Sequence, residues 1–163
     1  MLDEFTELIA MDKSTRQPSD GDIFVVQPKH NYYYFAKVIK TDIEGLNLNF
    51  KGMNLVYLYN CHGTSMEVPS ELDQYKLLLA PTVVSASGWK NGYFKTIANQ
   101  AVTKAEKSLD FGFFDNYEKK DVYLNLEGEP LDHVPRYSDF NGLSSYRSIG
   151  REMHRVLYGK KSH

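Results

Sequence analysis

Residues 22–40 contain the pattern that most restricts the fold of this chain. Two runs of β-branched and aromatic residues, at 22–27 and 32–40, flank a short polar turn at 28–31. Runs of this composition are typical of β-strands, and a connection of this length is typical of strands that are neighbours. The pattern therefore predicts an antiparallel hairpin near the start of the chain.

The second run also predicts which side chains share a face of the sheet. Successive side chains of a strand point to opposite faces. Tyr32 and Tyr34 are therefore expected on one face, and Tyr33, Phe35 and the stem of Lys37 on the other. An exposed row of tyrosines could stack on nucleic-acid bases. Basic residues nearby are few, which favours a role in the core and at the rim of the sheet.

The rest of the chain predicts more strands than helices. Further strands are expected at residues 54–60, 93–98, 111–114 and 122–126. Residues 77–85 are apolar, but Pro81 cannot donate to a sheet ladder, so an edge strand or an extended crossing segment is expected there. Without regular strand–helix alternation, the prediction is an α+β fold, with a strongly bent antiparallel β-sheet or a small barrel-like sheet and peripheral helices.

Helices are predicted at both ends of the chain and at one internal turn. Leu2, Phe5, Leu8 and Ile9 have helical spacing, which favours a short amphipathic helix over the first dozen residues. Thr103 with Glu106 has the spacing of a capping box. Residues 144–158 have an apolar face typical of a C-terminal helix.

The predicted C-terminal helix carries Arg147, Arg151 and Arg155 at i, i+4 and i+8. This stripe could bind phosphate or an acidic protein, or it could be a solvated helix face. Acidic residues predominate before Ile23 and basic residues after Ser145. The two ends of the chain could therefore attract each other, or each could meet a different partner.

Length and composition narrow the class of protein. A chain of 163 residues suits one domain, over 1–163. The net charge of −2 argues against a general binder of nucleic-acid backbones. Cys61 is the single cysteine, so no intramolecular disulfide can form, which favours a reducing compartment such as the cytoplasm. No stretch approaches the roughly 20 apolar residues of a membrane span.

Catalytic and metal-binding patterns are weak. Cys61 and His62 are adjacent on a predicted strand and would point to opposite faces. Ser87 and Lys90 form S-x-x-K without the companion motifs of a penicillin-binding site. His133 follows Asp132 in a loop framed by prolines. The histidines lack metal-ligand spacing. The sequence therefore predicts a protein that is not an enzyme and that holds no metal or cofactor.

Several strings nevertheless resemble a known family when taken in order. They are residues 21–24 (GDIF), 34–38 (YFAKV), 55–60 (LVYLYN), 79–81 (LAP) and 89–94 (WKNGYF). From about residue 21 to 122, the chain resembles the bacterial immunity-protein family numbered twenty-six, which is found beside polymorphic toxin genes. The most specific string is 89–94, where the family has a tryptophan, then a glycine, then an aromatic residue.

This resemblance implies a cytoplasmic α+β domain that neutralises a cognate toxin, encoded nearby, by binding it without a cofactor. Two alternatives stay open: a small hydrolase of ester or phosphotriester type, and a β-barrel module that binds nucleic acid or peptide. A metal phosphotriesterase would need a histidine cluster that this chain lacks. Trp89 could close the core or lie at a partner surface. The candidate partner-binding residues are Trp89, Tyr93, Tyr32, Tyr34, Arg147, Arg151 and Arg155.

Overall fold

A computed structural model describes residues 4–5, 7–115 and 122–159 of the chain. The first sheet contains β1 (Asp22–Lys29), β2 (Tyr32–Lys40), β3 (Asn54–Gly63), β4 (Thr82–Val84) and β5 (Lys95–Asn99). The second contains β6 (Phe111–Phe114), β7 (Tyr123–Leu124) and β8 (Tyr137–Phe140). The helices are α1 (Ser87–Lys90), α2 (Lys104–Lys107) and α3 (Tyr146–Tyr158), with a 3₁₀ turn at Leu72–Gln74.

The five-stranded sheet is antiparallel, in the order β4-β3-β2-β1-β5. The predicted hairpin is confirmed, with Ile23 opposite Lys37 and Val26 opposite Tyr34. Register shifts interrupt the pairing of β1 with both neighbours and of β2 with β3. Such irregularities bend and twist a sheet. In the residues that the structure describes, the sheet stays open, with β4 after Pro81 at one edge and β5 at the other. The α+β prediction is confirmed.

The second sheet has the order β7-β6-β8 and is mixed, because β6 pairs parallel with β8. The sequence did not predict β8, whose polar segment YSDF lacks an apolar run. A parallel partner is brought in by a long connection, which leaves no hairpin signal in the sequence.

The core lies on both faces of the five-stranded sheet. On one face, Phe24, Tyr34 and Val38 pack with residues that include Trp89 and Met153. On the other face, a second cluster joins the sheet to β6 and its neighbours. That cluster includes Ile23, Val25, Phe35, Phe50, Tyr57, Phe113 and Leu126. Both faces of β1 and β2 are buried, as expected for strands that are mostly apolar on both faces, with Lys37 in β2 a buried exception.

The predicted N-terminal helix is wrong where residues 7–12 can be described, because they form no helix. Their backbone bonds to the sheet region instead: the Ile9 amide donates to the Gln27 carbonyl at 2.7 Å, and the Met11 amide to the Gly92 carbonyl at 2.6 Å. Leu8 is buried in the first core cluster. These tertiary contacts outweigh a weak helical periodicity. Leu2 lies outside the described residues.

The C-terminal helix and the capping box are confirmed. Ser145 caps α3 by accepting a hydrogen bond from the Ser148 amide. Thr103 and Glu106 form the reciprocal capping box of α2. The two ends of the chain do meet, through Glu4 and His154, whose side chains lie 2.7 Å apart.

Candidate functional site

Trp89 belongs to the core. Its side chain is 2% exposed, and its ring lies 5.0 Å from the ring of Phe24 and 5.0 Å from that of Phe94, between centroids. Its indole N–H donates to the Thr96 hydroxyl at 3.0 Å. A Cβ on Gly88 would lie 2.3 Å from the Phe94 ring, so glycine is required at that position. The most specific string of the sequence thus closes one end of the core, and Trp89 presents no surface to a partner.

Tyr93 links this core to the C-terminal helix. Its ring stacks on that of Tyr146, with centroids 4.1 Å apart and planes 8° from parallel. Both tyrosines are half-buried. Tyr93 therefore keeps an accessible edge beside α3 while its face is occupied.

The predicted row of tyrosines is not an open platform. Tyr34 is buried, and burial raises its pKa to about 12. Tyr32 is half-buried and its hydroxyl lies 2.5 Å from Nδ1 of the exposed His62. Lys37, the basic residue required beside them, is buried on the opposite face. The exposed aromatic and basic surface that a nucleic-acid reader needs is therefore not formed by these residues.

Lys37 instead takes part in an ion pair between β2 and α2. Its Nζ lies 2.9 Å from Oε1 of Glu106 and donates to the Ala101 carbonyl at 3.0 Å. The Tyr59 hydroxyl donates to Oε2 of Glu106 at 2.6 Å, and the Tyr57 hydroxyl donates to the Glu106 carbonyl at 2.9 Å. Burial and the neighbouring carboxylate raise the pKa of both tyrosines. Lys37 Nζ and both carboxylate oxygens of Glu106 have hydrogen-bond partners within the protein, which indicates a structural role for the network.

The candidate nucleophiles are not assembled with a base. Burial raises the pKa of the Cys61 thiol, which disfavours the reactive thiolate. Ser87 lies in α1, where its hydroxyl contacts that of Ser85 at 3.0 Å. Among the hydrogen bonds of the described residues, none joins Cys61 or Ser87 to a histidine. In the described part of the chain, no three His, Cys, Asp or Glu side chains are arranged so that they could hold a metal ion together.

His133 does meet two carboxylates, one of which the sequence did not connect to it. Its ring nitrogens lie 2.8 Å from Asp132 and 2.8 Å from Asp110, at the start of β6. These contacts raise the pKa of His133 and lower that of Asp110. Asp110 also accepts from the Arg136 amide at 3.0 Å. The exposed cluster fastens the loop before β8 to the second sheet, and no hydroxyl or thiol in the described residues bonds to it.

The three arginines of α3 are exposed. Arg155 Nε donates to Glu152 at 3.2 Å, and the Arg147 guanidinium lies 5.8 Å from the centre of the Tyr146 ring. Arg151 contacts the Ser148 hydroxyl at 3.4 Å. The stripe predicted from the spacing is therefore accessible, with most of its bonding to its own helix.

A cavity of about 280 Å³ lies between α3 and β8. Asp139 and Glu152 both line it. Burial, with a smaller contribution from the charge of Glu152, raises the pKa of Asp139 to about 6. The sequence did not indicate this cavity, because it depends on the unpredicted strand β8.

Fold and site together define an α+β protein whose two sheets share a buried core. The sequence profile of Immunity protein 26 matches residues 19–122, more than half of the chain. The chain therefore belongs to the Immunity protein 26 family, as its strings predicted. No curated protein and no solved structure matches it. None of the helices in the described ranges has the length and apolar character needed to span a bilayer.

Proposed function

We propose that this protein is an immunity protein that binds a cognate toxin and neutralises it by occupying its surface. The observation that carries this proposal is the family match over residues 19–122, which contains the whole five-stranded sheet together with α1, α2 and β6. Toxin binding, as the role of the family, would rest on a surface that these elements present.

The site geometry supports binding over catalysis. Cys61 is buried, Ser87 lies in a helical turn, and His133 is fastened between carboxylates. A hydrolase requires a nucleophile within hydrogen-bond reach of its base, or a metal with an open position. A protein that blocks a toxin requires neither.

The predicted contact residues divide by accessibility. Tyr32, Tyr93 and the arginines of α3 keep exposed surface and stay candidate contacts, whereas Trp89 and Tyr34 are buried. A single buried thiol without a disulfide partner fits action in the cytoplasm.

Co-expression with the protein encoded by the adjacent gene tests the proposal. That protein alone should arrest growth, and growth should return when this chain is co-expressed. The two purified proteins should form a complex of defined stoichiometry. A neighbour that is harmless alone, or that stays toxic beside this chain, would contradict the proposal.

Titration separates binding from catalysis. Neutralisation by binding should saturate only when this chain reaches molar equivalence with the toxin, and the toxin should recover its activity when the complex is dissociated. Full, lasting inactivation at a hundredth of the toxin's concentration would instead show turnover and overturn the binding mechanism.

A further inference from the structure

Loop 41–53, which joins β2 to β3, displays two leucines to solvent. Leu46 and Leu48 are 79% and 80% exposed. Ile43 and Phe50 of the same loop are buried, and the Phe50 ring packs 4.7 Å from that of Phe113, between centroids. The loop is thus anchored in the second core cluster while its central leucines stand outside it.

The backbone that carries these leucines is held on both sides. The Leu46 amide donates to the Glu127 carbonyl at 2.7 Å. Asn47, between the two leucines, points inwards, and its side-chain amide donates to Asn141 at 2.6 Å. A Cβ on Gly128 would lie 2.8 Å from the backbone nitrogen of Asn47. The turn at 125–129 therefore packs against loop 41–53 so closely that only glycine fits at position 128. A loop fixed in this way loses little conformational entropy when a partner covers it.

The surroundings of the leucines specify the chemistry of a partner. A cavity of about 270 Å³ lies beside them, lined also by Leu124 and Asn141. Loop 41–53 and the turn at 125–129 together carry four carboxylates and one basic residue, Lys51. Lys40 and Lys107 line a separate pocket with Glu127 and do not line the cavity beside the leucines. The carboxylates are those of Asp42, Glu44, Glu127 and Glu129. This surface is complementary to an apolar pocket bordered by basic side chains.

We infer that loop 41–53 is the surface that binds the toxin, with Leu46 and Leu48 entering an apolar pocket whose border is basic. This inference rests on the proposed function and deepens it. The loop lies inside the region that matches the family, whereas α3 and its arginines lie outside it. A contact shared by the family would fall in the shared region.

The test compares the double variant Leu46→Ser, Leu48→Ser with Val134→Ser, using the purified protein of the adjacent gene as the probe. Val134 is also exposed, at 73%, but lies in a different loop, so it controls for loss of surface hydrophobicity. Removing two leucines from a buried contact should weaken binding about 100-fold or more. Val134→Ser should leave the dissociation constant within about threefold of the wild type, as is usual for residues outside a contact.

A charge variant supplies a second measurement. Glu44→Lys should weaken binding about fivefold and reduce its dependence on salt, because this exposed carboxylate would face a basic group of the partner. Unchanged thermal unfolding of all variants shows that the fold is intact, as expected for exposed side chains.

Each result distinguishes the surface from the function. Wild-type affinity in the leucine variant, with protection of cells intact, overturns the surface while the proposed function stands. If a variant without the α3 arginines loses binding while the leucine variant keeps it, the contact lies on α3 and the inference about loop 41–53 is overturned. A dimer of this chain that the leucine variant converts to a monomer would assign the loop to self-association and overturn the inference. Failure of the wild type to bind the probe would overturn both proposals.

Discussion

The ion pairs Lys37–Glu106 and Arg155–Glu152 join similar groups in opposite surroundings. The first joins β2 to α2, with both side chains buried and each charged group bonded to several partners. The second lies on the outer face of α3, with both side chains exposed. Charges removed from water depend on their partners, whereas exposed charges exchange partners with solvent at little cost. The interior pair therefore fixes α2 against the five-stranded sheet, and the helix pair is available to a ligand.

The largest expected effect is that of breaking the interior pair. Lys37→Met leaves the carboxylate of Glu106 buried without its cation, which should lower the free energy of unfolding by about 3–5 kcal/mol. Urea denaturation followed by circular dichroism measures this change. Replacing Glu106 with Gln in the same chain should recover part of the loss, because the uncompensated charge disappears. A loss below about 1 kcal/mol would mean that the pair behaves like a surface pair.

A smaller effect is expected from the hydroxyl that completes this network. Tyr59→Phe removes the donor to Oε2 of Glu106 and should cost about 1.5–3 kcal/mol, the usual range for a hydrogen bond to a charged group. Tyr123→Phe, at a half-buried position of the second sheet, is the matched control and should change stability far less. Equal losses in the two variants would contradict a special role for the buried network.

Local pattern predicted the elements that depend on neighbours in sequence. The alternation in residues 32–40 gave the strand with its faces, and the spacing of Thr103 with Glu106 gave the cap of α2. The same spacing did not reveal that Glu106 meets Lys37, because 69 positions separate the two residues. A lysine in the middle of an apolar strand was the available signal for a buried anionic partner.

The features missed from the sequence depend on tertiary contacts. The extended N-terminal segment is fixed by hydrogen bonds to Gln27 and Gly92. Strand β8 exists because β6 offers it a parallel edge. Leu46 and Leu48 are exposed, while Asn47 between them bonds to Asn141, 94 positions away. The periodicity of these segments does not indicate such contacts. The surface formed by loop 41–53 is therefore visible only in the structure, whereas the family region could be recognised from its sequence strings.

Asp139 is half-buried, so its surroundings are intermediate between those of the buried pair and those of the exposed pair. The dependence of stability on pH should reflect this partial burial. Its folded-state pKa of about 6 exceeds the ordinary value of 3.8, so the proton stabilises the fold: stability is highest below the unfolded value and falls as the pH rises through 6. Asp139→Asn removes the charge of a half-buried side chain and, with allowance for its partial exposure, should stabilise the protein at pH 7 by about 1–2 kcal/mol. The advantage should vanish near pH 3.5. Unfolding curves at both pH values check this, and an advantage independent of pH would contradict it.

The smallest effect on stability is expected at the helix pair. Arg155→Met should change the free energy of unfolding by no more than about 1 kcal/mol, since both partners are exposed. It should, however, raise the pKa of Asp139 slightly, because Glu152 then acts on Asp139 without a nearby cation. NMR titration of Asp139 in the wild type and the variant measures this. A stability loss as large as that of Lys37→Met would mean that the pair is needed for α3 to pack against the rest of the protein. The arginines of α3 would then have a structural role and would not be available to bind a ligand.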